Sequence, residues 1–352
     1  MTKISIGILA HNESESISII LRSLYQQSLF TNPDNNHNIE VIIVANGCTD
    51  NTVEVAQDTL SKLSAELKQN SPQWQVCEVA EAGKSNAWNL FIHQFSAPDA
   101  DFFYLLDADI QLYGEATLAK MLEVLLQNPE YWISLDQPIK DVQLKQNKNL
   151  IEKLSVAVSK SSNEGQLYIC GQLYCARASA LRNIWMPAGL PVEDGFLTQM
   201  IISENFTIQN PTFEKRIVRV KDASHTFSAY INPFELINHE VRVVVGIVIN
   251  IFLTDYFNDR CNQELTAGEL IAQMNQESHL WLNNFVKKTT SQKSWWVIPI
   301  SLVFRRYRSL KAHSLPKAIL RIPIATLAFI VDLSVFIRAN NKLQSEKVTN
   351  VW

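Results

Sequence analysis

The sequence has few cysteines, and none lies in a recognisable metal-binding or redox spacing. Its 352 residues include 5 cysteines, with no CxxC pair and no Cys/His zinc pattern. A long chain with an odd number of cysteines is not typical of a secreted disulfide framework, so we expect a reducing compartment. A strand pattern begins at Ile4, which leaves no room for a signal peptide. We therefore expect a cytoplasmic protein.

Two common nucleotide-binding signatures are also missing. Neither the P-loop pattern GxxxxGK[ST] nor the dinucleotide pattern GxGxxG occurs in the chain, which disfavours a P-loop enzyme and a classical dinucleotide-binding fold. The 31 Lys and Arg residues and 35 Asp and Glu residues give a formal net charge of −4. A slightly acidic chain is not expected to be a general nucleic-acid-binding protein.

Acidic residues are absent from one long C-terminal stretch. No Asp or Glu occurs between Glu277 and Asp332, whereas nine Lys or Arg residues lie from Lys287 to Arg321, together with two adjacent tryptophans. Such a mixture suits the surface of an anionic membrane, and a basic helical face packed on the rest of the protein is the alternative. The apolar run 322–337 is short and contains an Asp, so we expect a buried or interfacial helix rather than a membrane span. These features predict peripheral association with the cytoplasmic membrane.

The first 130 residues show an alternation of strand and helix patterns. Apolar runs predict strands over 3–10, 39–45, 73–80 and 101–109, and a helix pattern follows each of them. Continuous apolar strands separated by helices indicate an α/β fold with a mostly parallel sheet and helices on both faces. Ligands of such sheets bind at the carboxyl ends of the strands.

After residue 130 the pattern is mixed, and from about residue 231 it becomes helical. Strands are predicted over 132–139 and 166–177, and the segments 206–210 and 215–220 resemble a hairpin or edge strands. We therefore predict a catalytic domain over residues 1–230. Residues 231–352 are predicted to form a helical, basic, membrane-associating extension.

Two carboxylates flank Ala108 at the end of the fourth predicted strand. Asp107 and Asp109 are two residues apart, and such residues of a strand share one face, so we expect both to point into a cleft. Carboxylate oxygens suit Mg²⁺ or Mn²⁺, which can bridge a diphosphate. His225 could complete this metal site as a neutral imidazole. The alternatives are a turn with incidental acids and an ordinary surface histidine.

Two further segments could act on a phosphorylated ligand. Lys84 follows a glycine at the start of a helix pattern, where backbone N–H groups and the lysine charge attract phosphate. Glu193 and Asp194 lie in a loop with two prolines and two glycines that leads into a helix. An acid at such a position can cap the helix, or it can deprotonate an acceptor hydroxyl.

The motifs occur in an order that resembles the family 2 glycosyltransferases, nucleotide-sugar enzymes of the GT-A fold. The segments that carry the resemblance run across residues 3–200 and read ISIGILAHNES, VIIVANGCTDNT, AGKSNAWN, LLDAD, ICGQLYCAR and VEDGFL. The resemblance implies transfer of a sugar from a nucleoside diphosphate to an acceptor hydroxyl, with inversion at the anomeric carbon and with Mg²⁺ or Mn²⁺ as cofactor. The acceptor is open and could be a lipid or a glycan.

The resemblance also implies a role for each matching residue. Asp194 would be the general base with Glu193 beside it, and Asp107 and Asp109 would face the metal. His225 remains the additional candidate metal ligand suggested by its imidazole. The residues implied to contact the nucleotide sugar are Ala10, Asn12, Glu13, Asn46, Gly47, Lys84, Asp107, Ala108, Asp109, Gly171 and Arg242.

The chain departs from the family pattern at two places. Ala45 stands where members often have an Asp, which affects the base contact and hence the choice of donor. The Q/RxxRW motif of processive members is absent, and its nearest counterpart runs from His239 to Arg242 without the Trp. These departures leave open a catalytically inactive nucleotide-sugar-binding or scaffold protein at a membrane surface. A nucleotidyltransferase is disfavoured because the turn after the first strand, AHNESES, lacks glycine and basic residues, and a retaining transferase is a further alternative.

Overall fold

The computed structural model describes residues 1–67, 71–144, 168–208, 212, 215–228, 232–310 and 315–345. The strands are β1 (Thr2–Ala10), β2 (His37–Asn46), β3 (Gln73–Val79), β4 (Phe102–Asp107), β5 (Ile110–Tyr113), β6 (Ile133–Lys140), β7 (Leu173–Arg177) and β8 (Ile217–Phe227). The helices before residue 230 are α1 (Ile17–Tyr25), α2 (Ser28–Thr31), α3 (Thr52–Glu66), α4 (Lys84–Leu90, continued by a π-turn over Phe91–Phe95), α5 (Thr117–Gln127), α6 (Asp141–Leu144), α7 (Ala178–Leu181) and α8 (Glu193–Ile202). The later helices are α9 (Pro233–Asn258), α10 (Ala267–Glu277), α11 (Trp281–Ser291), α12 (Ile300–Val303), α13 (Arg305–Leu310) and α14 (Leu315–Leu343).

The eight strands form one sheet in the order β3-β2-β1-β4-β7-β6-β8-β5. The first four strands of this order pair in parallel, as do β6 and β8, whereas β7 and β5 pair antiparallel with their neighbours. This mostly parallel sheet confirms the predicted α/β class. The carboxyl ends of β1, β2 and β4 lie side by side, so the turns that follow these strands meet at one edge of the sheet.

Helices cover both faces of the sheet, as predicted. Alternate residues of a strand point to opposite faces, so Ile42 of β2 packs in one buried cluster and Ile43 in the other. The first cluster includes side chains from α4, α8 and α9, and the second includes side chains from α1, α3 and α5. Because both faces are buried, the strands read as unbroken apolar runs in the sequence.

The C-terminal helices extend the first of these clusters. Val245 of α9, Leu282 of α11 and Phe336 of α14 are all buried in it. By length and composition alone, the segments Phe234–Asn258 and Arg321–Leu343 could each cross a membrane, although part of each is buried inside the protein. The predicted boundary near residue 230 stays a prediction.

Four local expectations differ from the structure. The fourth strand ends at Asp107, because residues 108 and 109 form a turn into the short strand β5, which the sequence analysis missed. Residues 206–208 form a turn, not a strand, and 209–210 lie outside the described residues. The strand expected over 166–177 begins only at Leu173, with 166–167 also outside the description. Glu193 and Asp194 belong to the first turn of α8 and not to the loop before it.

A close contact at the centre of the sheet gives a stability prediction. A Cβ atom added at Gly7 of β1 would lie 2.7–2.8 Å from three ring carbons of Phe91, which is fully buried. We expect Gly7→Ala to lower the free energy of unfolding by about 1–3 kcal/mol, because a well-packed interior tolerates added volume poorly. Urea unfolding followed by circular dichroism measures the change.

A second variant, Phe91→Leu, tests whether the loss comes from this contact, because its side chain is smaller. Combined with Gly7→Ala it should give a loss well below the sum of the two single losses, since the second change relieves the clash. Strictly additive losses would show that Gly7 is not constrained by Phe91.

Candidate active site

A large cavity opens where the carboxyl ends of β1 and β4 meet the beginnings of α4 and α8. Its volume is about 1630 Å³. The lining includes nine of the predicted site residues, namely Glu13, Lys84, Asp107, Ala108, Asp109, Gly171, Glu193, Asp194 and Arg242. Residues far apart in the sequence therefore converge on one space.

The centre of the cavity is an ion cluster around Lys84. Its ammonium lies 2.6 and 2.9 Å from the two carboxylate oxygens of Asp107 and 2.9 Å from Oε1 of Glu193. It also donates a 3.4 Å hydrogen bond to the carbonyl oxygen of Gly171. Although burial lowers the pKa of Lys84, the charges of Asp107 and Glu193 raise it well above its ordinary value. Lys84 therefore stays protonated and holds two carboxylates together.

Each member of the cluster is placed by the end of a regular element. Lys84 is the first residue of α4, and the preceding Gly83 has φ +151°, a conformation that side chains rarely allow. Asp107 is the last residue of β4, and its backbone N–H donates to the carbonyl oxygen of Gln172 at 2.9 Å. Glu193 opens α8. Rigid strand and helix ends thus fix the distances within the cluster.

Burial in this cluster changes the acidity of two carboxyl groups. Burial raises the pKa of Asp107 to about 6, although the Lys84 ammonium opposes the shift. Burial and the nearby charge of Glu193 raise the pKa of Asp194 to about 6. The backbone N–H of Gly195 donates to Asp194 Oδ1 at 2.6 Å. The raised pKa makes Asp194 more basic than an ordinary aspartate, which suits it to accepting a proton.

Gly171 keeps space open between these groups. A Cβ atom at this position would lie 2.9 Å from Oε1 of Glu193, 3.4 Å from Nζ of Lys84 and 3.5 Å from Cβ of Asp194. Any larger residue would enter the space that a ligand must share with the two acids. The predicted position of Gly171 in the site is consistent with this geometry.

Asp107 and Asp109 are not equivalent, although a strand over both residues would have placed them alike. Both oxygens of Asp107 contact Lys84, whereas Asp109 lies in the exposed turn after the strand and lines the cavity. Its charge contributes to the raised pKa values of Glu13 and Asp107, after the larger effect of burial. Asp109 is therefore the more accessible carboxylate of the pair.

The turns after β1 and β2 form the side of the cavity, but four predicted residues there do not line it. Ala10 and Asn46 are fully buried, and Asn46 donates to the carbonyl oxygen of Gly83 at 2.6 Å. Gly47, at φ +61°, packs on Ala82, while Asn12 accepts from the backbone N–H of Thr49 at 2.7 Å. In this structure these side chains shape the turns, whereas His11 and Glu13 reach the cavity.

His225 does not line the cavity with Asp107 and Asp109 but lies behind Gln172, which does. Its side chain is fully buried, with Nδ1 2.7 Å from Oδ2 of Asp136 and Nε2 3.2 Å from Oε1 of Gln172. Both ring nitrogens are therefore engaged inside the protein, which corrects the expectation of a metal ligand. Among the described residues, no group of three or more His, Cys, Asp or Glu side chains could hold a metal ion.

The remaining donors still fit a metal that arrives with its substrate. Mg²⁺ is usually held by one or two carboxylates together with substrate phosphates and water, so it does not need a complete cage of side chains. The exposed carboxylate of Asp109 can provide such a ligand. Asp107 is already paired with an ammonium group.

One wall of the cavity was missed by the sequence analysis. It consists of a face of α9 whose side chains recur at helical spacing and include His239, Arg242, Val243, Ile247 and Ile251. Only the Arg242 position was expected there. The apolar residues of α9 are divided between the core and the cavity. The composition of the run therefore does not show which of its faces lines the site.

Comparison with models of known protein families gives one match. Residues 5–179 match the model described as glycosyl transferase family 2. The chain belongs to this family. The match covers the strands and turns that carry Glu13, Lys84, Asp107, Asp109 and Gly171, so this part of the glycosyltransferase was correctly recognised from its motifs.

Solved structures similar to this glycosyltransferase include two bacterial enzymes. Glucosyl-3-phosphoglycerate synthase from Mycobacterium tuberculosis, in complex with Mn²⁺, UDP and glucosyl-3-phosphoglycerate, aligns over 72% of this chain and 80% of its own, with 15% identity and a TM-score of 0.46. S. aureus TarS 1-349, in complex with UDP, aligns over 97% of this chain and 90% of its own, with 14% identity and a TM-score of 0.45. No curated protein matches the glycosyltransferase significantly.

The placement of His225 gives a second stability prediction. His225→Ala leaves the buried carboxylate of Asp136 without its imidazole partner, so we expect the free energy of unfolding to fall by about 3–5 kcal/mol. Chemical denaturation with EDTA and with Mn²⁺ measures the effect. The loss should be equal in both conditions. A loss seen only with Mn²⁺ would restore His225 as a metal ligand.

Proposed function

We propose that this family 2 glycosyltransferase moves a sugar from a nucleoside diphosphate sugar to an acceptor hydroxyl, with inversion and with a divalent metal. The observation that carries the proposal is the convergence of Lys84, Asp107, Glu193 and Asp194 in one cavity. This cavity brings together the Lys84 ammonium, which suits a diphosphate, and the Asp194 carboxylate, which suits the deprotonation of a hydroxyl. Asp109 adds a carboxylate on the donor side.

The donor is proposed to lie between the turns after β1 and β4. The ammonium of Lys84 is a fixed positive charge at the helix start, and such a charge stabilises the negative charge that develops on the leaving diphosphate. Mg²⁺ or Mn²⁺, when bound, would be held by Asp109 and would supply further positive charge to the diphosphate. Gly171 leaves room for the sugar beside both groups.

Asp194 is proposed to act as the general base. An inverting displacement needs one carboxylate that removes the acceptor proton while the hydroxyl attacks opposite the leaving group. The pKa of Asp194, raised to about 6, suits proton transfer near neutral pH. Glu193 is less suited to this role because its Oε1 is held 2.9 Å from the Lys84 ammonium.

The acceptor is proposed to enter along α9. The face of this helix that lines the cavity extends from His239 to Thr254, which is about 22 Å at 1.5 Å per residue. His239 and Arg242 provide a polar end, whereas Val243, Ile247 and Ile251 provide an apolar wall. This wall suits an acceptor that carries an apolar segment, as a lipid-linked acceptor does.

Replacing the base tests the proposed mechanism. We expect Asp194→Asn to reduce kcat by at least about 100-fold while donor affinity is retained, because a positioned base contributes about 10²–10⁴-fold to the rate. In the wild type, kcat/KM should rise with pH through about 6, as Asp194 loses its proton. This rise should be missing in Asp194→Asn. A coupled assay for released nucleoside diphosphate measures both properties.

The neighbouring acid supplies the control, and stability supplies a second readout. Glu193→Gln should keep a rise with pH, moved below 6 because the charge of Glu193 helps to raise the pKa of Asp194, and the opposite pattern in the two variants would assign the base to Glu193. The folded state raises the pKa of Asp194, so its ionisation makes the protein less stable as pH increases from about 4 to 6. Asp194→Asn should therefore unfold no more easily than the wild type at pH 8.

Donor and metal binding can be tested without turnover. We expect Asp109→Asn to weaken the binding of a nucleoside diphosphate at least about tenfold with Mn²⁺ present and to change it little in EDTA, because only the metal-bridged contact is lost. Isothermal titration calorimetry with UDP and GDP measures the affinities. Asp58→Asn, at an exposed ion pair with Lys62, is the control for a lost surface carboxylate. Equal effects with and without Mn²⁺ would contradict a metal at Asp109.

A further inference from the structure

Helix α14, the longest among the described residues, exposes a largely apolar face. In α14, the exposed side chains of Ile324 (71% exposed), Leu327 (68%), Ile330 (60%), Val331 (52%) and Ile337 (47%) lie on the outside of the helix. We call these five residues the outer face of α14. A single exposed apolar residue is ordinary, but several on one side of a helix, here interrupted by the exposed Ser334, mark a surface that meets an apolar partner.

The opposite side of α14 is packed against the protein. Val335, Phe336 and Ala339 are buried there. The side-chain oxygen of Asn340 also accepts a 2.9 Å hydrogen bond from the backbone N–H of Val297, which lies before α12. The helix is therefore fixed on its inner side, so the outer face cannot turn inward to bury itself. Its exposure is a property of the folded protein.

The only acid of this apolar run is neutralised on the inner side. Asp332 is 5% exposed, and its carboxylate accepts from Arg305 at 3.1 and 3.2 Å and from Arg306 at 2.9 and 3.1 Å. In the sequence, Asp332 argued against a helix that spans the membrane. In the folded protein it lies away from the outer face and does not oppose apolar contact there.

The charges that border the outer face are positive. Arg321 and Arg338 are both exposed and stand at the two ends of the apolar run, and the chain has no Asp or Glu between Glu277 and Asp332. Basic residues at the borders of an apolar face complement anionic lipid headgroups, whereas they would repel the basic border of a second copy of the chain. Charge complementarity thus selects a membrane among the possible apolar partners.

The packing of the helix indicates how it would meet the membrane. The segment Arg321–Leu343 is long and apolar enough to cross a membrane by length and composition, but its inner side is packed on the protein. A helix with one side fixed to a protein core cannot be surrounded by lipid. Contact along the side of the helix satisfies this condition, since it buries only the outer face in the interfacial region.

We propose that the outer face of α14 docks the protein side-on to an anionic lipid bilayer. The proposal does not depend on the glycosyl transfer reaction. It is consistent with that reaction, because α9 packs against α14 on one side and lines the cavity on the other. A membrane-bound acceptor would therefore approach the site along the helix that adjoins the docked surface.

Vesicle flotation with the full chain tests the proposal. The wild type is expected to float with vesicles of phosphatidylcholine and phosphatidylglycerol, and to float less with pure phosphatidylcholine or at high salt. The double variant Leu327→Gln and Ile330→Gln should reduce the bound fraction at least tenfold. Arg338→Gln should weaken binding to the anionic vesicles only.

The control places the same change on another exposed surface. Leu126, on α5, is 51% exposed, so Leu126→Gln matches the change in polarity away from α14 and should bind like the wild type. Melting curves should agree for all variants, because the altered side chains are exposed. If the double variant does not fold, Ile324→Gln replaces it in the same comparison.

Three outcomes would overturn the proposal. The wild type could remain unbound to anionic vesicles, or the double variant could bind as well as Leu126→Gln. Alternatively, sedimentation velocity without lipid could show a wild-type dimer that the double variant abolishes, which would make the outer face a contact between two copies. Vesicle binding is measured without any substrate, so these results are independent of whether the transfer reaction is correct.

Discussion

The ion cluster around Lys84 is the interaction on which the site depends. One ammonium group lies within 3 Å of carboxylates from the end of a strand and the start of a distant helix. Without it, Asp107 and Glu193 would be two like charges side by side in a largely buried place, which is strongly unfavourable. The same positive charge that permits this arrangement is also suited to receive a diphosphate. The structural role of Lys84 and its proposed functional role are therefore joined in one residue.

The parallel sheet explains why this cluster forms where it does. Strands β1, β2 and β4 run in the same direction, so their following turns meet at one edge. The turns after β1 and β2 are tied to each other and to the segment before α4 through backbone and amide hydrogen bonds, such as that from Asn46 to Gly83. Several residues that resemble ligand contacts in the sequence thus act by shaping the turns. The acids and Lys84 remain to face the cavity.

Helix α9 connects the site with the C-terminal part of the protein. One of its faces lines the cavity, and the buried residues of another face belong to the core that α14 also joins. The apolar wall beside the proposed base and the exposed apolar face of α14 are therefore two sides of one helical layer. The proposed route for an acceptor with an apolar segment and the proposed membrane contact follow from the same arrangement.

The sequence by itself determined most of the sheet and the family, and it predicted the site residues. Apolar runs with helices between them predict parallel strands, because a strand that is buried on both faces needs apolar side chains on both. The ordered motifs identify the family and the positions of Lys84, Asp107 and Asp194. The tertiary structure alone decided the rest. It turned His225 inward to Asp136, placed Asp109 in a turn, and oriented α9 and α14. These outcomes depend on contacts between distant segments, and a pattern along one segment does not specify which neighbour it will meet.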